Sequence, residues 1–157
     1  MKHLPFLVEA VLAMANKHAP RYQVADIAPN TYEELVSKTE QDGFITVWSG
    51  ASDNTIFGNE RVNHAFRAWH DSAHLRGGYD FSLRGEILAA KRQCLDLVQS
   101  YLPCAARGEA IIAILIEVIG QAAHYAKTGE FVSDQIAFFD TEGHKASYRR
   151  IARKIAA

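Results

Sequence analysis

The stretch AIIAILIEVI, residues 110–119, is the most apolar part of the chain. Its aliphatic side chains cover nearly every side of a helix, and a helix that is hydrophobic all round is normally buried. Glu117 interrupts the run well before it reaches the roughly 20 apolar residues that a membrane-spanning helix needs. We therefore predict a central, buried helix over about residues 106–127, which ends near Gly129.

The segments around this stretch carry helical periodicity and helix-ending residues. Thr31 and Glu34 have the spacing of a capping box, and Ser82 is a cap-like residue ahead of another apolar pattern. The further predicted helices cover about residues 3–17, 31–41, 60–76, 82–101 and 144–156. Residues 44–48 are the one good strand candidate, and residues 18–30 and 130–143 are predicted to be loops.

Composition limits the class of protein. The chain has 157 residues, of which 48% are hydrophobic, and this supports one domain with one core. The formal net charge of -1 argues against a general nucleic-acid coat. Two cysteines are too few for a disulfide scaffold or a cysteine zinc cluster. We predict an all-α, single-domain helical bundle over residues 1–157, with at most a short strand or hairpin near residues 44–48. We also predict a cytoplasmic protein without a membrane association.

Two histidines on the predicted helix over residues 60–76 have the spacing of metal ligands. His70 and His74 lie four residues apart, the spacing by which one helix presents two imidazoles to one metal ion. Asp71 lies three residues before His74 and is a candidate third ligand. The alternative is an ordinary surface pair of histidines beside a helical aspartate.

Two neighbouring helices place similar side chains at the edges of their apolar faces. Glu86 and Gln93 share one such stripe, and Glu117, Gln121 and His124 share another. A buried carboxylate must be paired, protonated or bound to a cation. Bundles build metal sites from side chains that project inward from facing helices. The alternatives are a core ion pair between Glu117 and an arginine or lysine, and a Glu86 that only suits the helix dipole.

Together these residues predict a centre for a divalent metal ion, and the sequence does not choose among zinc, iron and manganese. The predicted ligands are His70, Asp71, His74, Glu86, Glu117 and His124. The candidate catalytic residues are Glu117 and Asp71. The candidate substrate-binding residues are Arg67, Arg84 and Gln121. The two arginines are chosen because arginine suits the bidentate binding of phosphate. We interpret Arg76 as an ordinary surface charge.

Two strings in the sequence resemble known proteins. AWHDSAHLRGG, residues 68–78, resembles the His-Asp core of the HD-domain metal phosphohydrolases. That resemblance implies that His70 and Asp71 are paired ligands, with His18 and Asp134 standing in for the family's upstream histidine and late aspartate. FRAWHDSAHLRGGYDFSLRGE, residues 66–86, followed by EVIGQAAHYAKTGEFVSDQIAFF, residues 117–139, is similar to small uncharacterised proteins of tailed phages and prophages. This second resemblance covers roughly residues 48–139 and implies a phage or prophage origin.

Three functional hypotheses follow from these features. In the first, the protein is a metal-dependent hydrolase that acts on a phosphorylated small molecule, with a nucleotide as one candidate, and Arg67 or Arg84 holds the phosphate. In the second, it is a non-catalytic phage accessory protein that binds a host or virion partner, and its polar centre is structural. The third is a ferritin-like di-metal carboxylate protein, which is less favoured because the sequence has no pair of ExxH motifs.

Overall fold

The computed structural model describes residue 4 and residues 6–143 of the chain. In this part the helices are α1 (Leu7–His18), α2 (Tyr32–Asp42), α3 (Glu60–Gly77), α4 (Leu83–Val98), α5 (Cys104–Ile114), α6 (Gln121–Thr128) and α7 (Gln135–Gly143). A π-helical segment, Leu115–Gly120, joins α5 directly to α6. The two strands are β1 (Tyr22–Ala25) and β2 (Ile45–Trp48). The predicted mostly helical fold with a short strand near residues 44–48 is confirmed.

The prediction of a loop over residues 18–30 is wrong for the four residues of β1. This strand pairs in parallel with β2, so that Tyr22 lies opposite Ile45 and Ala25 lies opposite Trp48. β1 has two exposed residues at its centre and therefore lacks a clear buried face. Pro20 and Pro29 flank it and are typical of loops. A strand of four residues without such a pattern can be identified only from its pairing with β2 in the structure.

The predicted loop over residues 130–143 is also wrong in its second half, which forms α7. The Asp134 carboxylate accepts a hydrogen bond from the backbone N–H of Ala137 at 2.9 Å, as an N-cap residue does. The helix predicted over residues 144–156 lies outside the described residues.

Side-chain caps define the beginnings of the helices near the candidate site. Asn59 accepts a hydrogen bond from the N–H of Val62 at 3.0 Å at the start of α3. The Ser82 hydroxyl accepts one from the N–H of Gly85 at 3.1 Å at the start of α4, as its cap-like position predicted. Gly78 ends α3 with a φ of 65°, a left-handed conformation that favours glycine. Gly78 and Ser82 thus mark the two ends of the α3–α4 turn.

The core lies where α1, α3, α4 and α5 contact one another. Ile111, Ile114 and Ile116 are fully buried there, together with Trp69 of α3. The apolar run at residues 110–119 is thus central, as predicted. Glu117 lies in the middle of the π-helical segment, a type of helix that occurs mostly as single-turn insertions, frequently at functional sites.

A buried ionic network ties three of these helices together at Asp96 of α4. Arg76 of α3 donates two hydrogen bonds to the Asp96 carboxylate, at 2.9 and 2.6 Å. The indole N–H of Trp69 donates a third at 2.9 Å, and His18 of α1 lies 3.6 Å away. Arg76 does lie at the surface, but it is more than an ordinary surface charge, because it pairs with a buried carboxylate that becomes its neighbour only when α3 packs against α4.

Two helical glycines provide a matched test of the α3–α4 turn. A Cβ added at Gly85 would lie 1.8 Å from the backbone oxygen of Asp80, whereas a Cβ at Gly108 of α5 would meet nothing within 4 Å. We expect Gly85→Ala to lower the free energy of unfolding by about 1–3 kcal/mol through overpacking. Gly108→Ala should raise it by about 0.5–1 kcal/mol, because alanine favours the helix. Urea denaturation measures both, and shifts in the same direction would contradict the close approach at Gly85.

Candidate metal centre

Two imidazoles and one carboxylate converge between α3 and α4. His70 and His74 lie on successive turns of α3, and their Nε2 atoms are 3.0 Å apart. Glu86, in the first turn of α4, places Oε2 3.1 Å from the Nε2 of His70 and Oε1 3.6 Å from the Nε2 of His74. We call these three residues the His–Glu group. Of the six predicted ligands, the structure brings these three together as a group that could hold a metal ion.

The outer ring nitrogens of both histidines have fixed partners. His74 Nδ1 lies 3.0 Å from the backbone oxygen of Tyr79, which can only accept, so we infer that Nδ1 carries the proton. His70 Nδ1 lies 3.0 Å from Oε1 of Gln93, a side chain that is fully buried. Each Nε2 then faces the inner side, where it can bind a metal ion once any proton on it is displaced. This arrangement, with the second nitrogen held by a carbonyl or amide, is common for metal-ligating histidines.

The separations within the His–Glu group suit one metal ion. Zinc binds imidazole nitrogen and carboxylate oxygen at about 2.0–2.2 Å, which places tetrahedral ligand atoms about 3.3 Å from one another. The three ligand atoms all lie within 4.8 Å of one another, and the closest pairs are 3.0 and 3.1 Å apart. The group could therefore hold a metal ion with only small movements of its side chains.

The charges of the group are strongly coupled. Burial disfavours the charged form of His70, but the hydrogen bond and negative charge of Glu86 outweigh it and raise the pKa of His70 to about 9. Burial likewise opposes the ionised form of Glu86, yet the two histidines lower its pKa to about 2. A proton thus stabilises the metal-free group, and a metal ion must displace it.

A cavity of about 720 Å³ opens beside the His–Glu group. His70 and Glu86 line it, whereas His74 is fully buried behind them. A volume of this size is within the range of small-molecule sites. An ion held by the group would therefore have protein on one side and space for water or substrate on the other, as catalytic metal sites require.

Asp71 lines the same cavity but is outside the His–Glu group. Burial is the largest influence on this carboxyl and raises its pKa to about 6, although His70, His74 and Arg67 act in the opposite direction. The HD-domain resemblance implies that His70 and Asp71 bind one metal ion together. The structure instead groups His70 with His74 and Glu86. Asp71 instead lies beside the group, where it could accept a proton.

Glu117 of the π-helical segment and Gln121 of α6 also line this cavity. Gln121 Nε2 donates a hydrogen bond to Glu117 Oε2 at 2.7 Å, and Oε1 of Glu117 is buried without a partner among the described residues. Burial raises the pKa of Glu117 to about 8, although the Gln121 hydrogen bond acts against the rise. Residues of α3, of α4 and of the π-helical segment with α6 therefore line one cavity, as predicted for three converging helices. Only α3 and α4 supply the His–Glu group.

The remaining predicted site residues have other surroundings. Arg67 lines the cavity, but its guanidinium donates to the backbone oxygens of Trp48 at 2.5 Å, Gly50 at 2.7 Å and Ala51 at 3.3 Å. Arg84 is exposed in the first turn of α4 and is not part of the cavity wall. The ring of His124 packs edge-on against Phe138 at 5.7 Å, away from the His–Glu group.

The HD-domain stand-ins also lie elsewhere, since His18 is beside Asp96 and Asp134 begins α7. The residue that the sequence did not indicate is Tyr79, because it contributes a backbone oxygen that any residue type could supply. Its only sequence signal is its place directly after the two glycines that end α3.

No protein-family model, curated protein or solved structure matches the chain. The resemblances to phage proteins and to HD-domain phosphohydrolases therefore stay predictions. Among the described residues, no helix combines the length and the apolar character that crossing a membrane requires.

Proposed function

We propose that the protein is a metal-dependent hydrolase that binds one divalent ion through His70, His74 and Glu86. The observation that carries this proposal is the convergence of two imidazoles and one carboxylate at the wall of a 720 Å³ cavity. Two histidines and one glutamate form the ligand set of a well-known type of catalytic zinc site with an open fourth position. Iron and manganese also accept imidazole and carboxylate ligands, so all three ions are candidates.

The hydrolytic step needs an activated water and a proton acceptor. A divalent ion lowers the pKa of a bound water towards neutrality. Asp71, with a pKa of about 6, would be largely ionised at neutral pH and would accept the proton of that water. Glu117 is less suited to this role, because it lies outside the His–Glu group and its pKa is about 8.

We propose a phosphorylated small molecule as the substrate, with a nucleotide as one candidate. The bound ion would be its main positive partner, because Arg67 already donates to three backbone oxygens. The ferritin-like alternative is disfavoured, since the His–Glu group contains a single carboxylate and a di-metal site needs several. For the accessory-protein alternative, the hydrogen bonds that His70 donates to Gln93 Oε1 and His74 donates to the backbone oxygen of Tyr79 would make the group a structural network.

The proposal is tested with protein purified without a histidine tag, stripped with a chelator and reloaded separately with zinc, iron or manganese. We expect hydrolysis of bis(p-nitrophenyl) phosphate or of nucleoside monophosphates with at least one ion and none in the stripped protein. Asp71→Asn should lower kcat by about 10²–10⁴ while metal content is kept. The exposed Asp53→Asn is the matched control and should be fully active. A lack of metal-dependent turnover with every ion and substrate would favour the accessory-protein alternative.

A further inference from the structure

Among the described residues, none places an opposite charge beside the Glu117 carboxyl. Its one hydrogen bond among the described residues is the one from Gln121, and its Oε1 has none. No cationic side chain of the described residues influences its ionisation, which is governed by burial and by Gln121. A buried carboxyl in this situation either stays protonated or acquires a cation, and none of the described side chains supplies that cation.

Among the described residues, the one arginine or lysine side chain on the cavity wall is Arg67, and it already has partners. Arg67 is bound to the backbone oxygens of residues 48, 50 and 51, and its guanidinium stacks over the Trp48 ring at 5.5 Å. It therefore holds the loop after β2 rather than reaching for Glu117. A metal ion at Glu117 is also disfavoured, because Glu117 belongs to no group of three metal-ligating side chains among the described residues.

The rest of the cavity wall suits an organic cation. The aromatic side chains that line it are Phe57, Phe66, Phe81, Tyr125 and Phe131. Aromatic faces attract ammonium groups, most strongly where water is excluded. The carboxyl is able to meet a donor that enters the cavity, because rotation about the terminal torsion of a glutamate is soft.

We propose that Glu117, oriented by Gln121, is a substrate-recognition residue that binds a protonated amine. The substrate would then extend from an amine at Glu117 to the hydrolysable phosphate at the His–Glu group. This inference rests on the proposed function only in taking the cavity to be the active site. Amine binding itself needs no metal and no turnover.

The experiment compares benzylamine with benzyl alcohol, which has a similar shape but no charge. Binding of each to full-length, chelator-treated protein is measured by isothermal titration calorimetry at pH 8.5, where a carboxyl with a pKa of about 8 is mostly ionised even before the amine binds. We expect benzylamine to bind about tenfold more tightly or better, since a hydrogen bond to a buried charged group has an effect of that size. Glu117→Gln should remove this preference, whereas the exposed Glu40→Gln of α2 should retain it.

Equal affinities of the wild type for the two probes, or a preference that survives in Glu117→Gln, would overturn the inference. Thermal unfolding of each variant shows whether it is folded, and Gln121→Leu provides a second variant that should weaken the preference. Metal titration of the same samples separates the two proposals. If metal binding fails but the amine preference persists, only the proposed function is lost. The opposite result removes only the amine site.

Discussion

His70→Ala and Glu86→Gln are each expected to weaken metal binding by more than about 100-fold. Each substitution removes one of three protein ligands, and even the loss of a residue that only supports a ligand typically weakens metal binding by 10–100-fold. His70 and Glu86 are both partly exposed to the cavity, so neither change leaves a large hole in the core. The measurement is a competition titration of chelator-treated protein with zinc and with manganese, together with elemental analysis of the untreated protein.

His124→Ala is the informative control for this series. The sequence placed His124 among the ligands, but the structure packs its ring against Phe138. We therefore expect His124→Ala to bind metal with the affinity of the wild type. If His124→Ala lost the metal while His70→Ala and Glu86→Gln kept it, the assignment of the His–Glu group would be wrong.

The contrast between His74 and His124 shows which site residues can be predicted from the sequence. His70 and His74 share one regular helix, so their four-residue spacing alone places them on one face. The prediction that His124 lies on the same helical face as Glu117 assumed an equally regular helix. The segment Leu115–Gly120 is instead π-helical, and hydrogen bonding from residue i to i+5 changes the angular spacing along the chain. Glu117 and Gln121 still meet, but His124 does not reach the site.

Long-range partners account for the other differences. The helical face of Arg67 was predicted correctly, and the residue does line the cavity. Its guanidinium is captured by backbone oxygens of the loop after β2, whose path no local pattern predicts. β1 was missed for a similar reason, because its register depends on β2 some 20 residues later. Glu86 and Gln93 were found because they share a stripe on one regular helix, and both contact His70.

The second large effect is expected at the buried network rather than in the cavity. Asp96→Ala should lower the free energy of unfolding by about 2–3 kcal/mol, because the carboxylate that accepts two hydrogen bonds from Arg76 is lost, while the partly exposed Arg76 guanidinium can still be hydrated. The Trp69 N–H would lose its partner as well. Asp42→Ala is the matched control, since it breaks a partly exposed i,i+4 ion pair with Lys38 and should change stability by less than about 1 kcal/mol. Urea denaturation at pH 7 measures both variants.

The pH dependence provides an independent check on Asp96. Burial alone would raise the pKa of this carboxyl, but the hydrogen bonds from Arg76 and Trp69 outweigh it and hold the pKa below the ordinary value of 3.8. A lowered pKa means that the network stabilises the fold above about pH 4 and that this contribution is lost as the pH falls further. The stability gap between wild type and Asp96→Ala should therefore be widest near neutral pH and should narrow in acid. A gap of the same size at pH 3 and pH 7, or one no larger than that of Asp42→Ala, would show that the ionised Asp96 does not hold α1, α3 and α4 together.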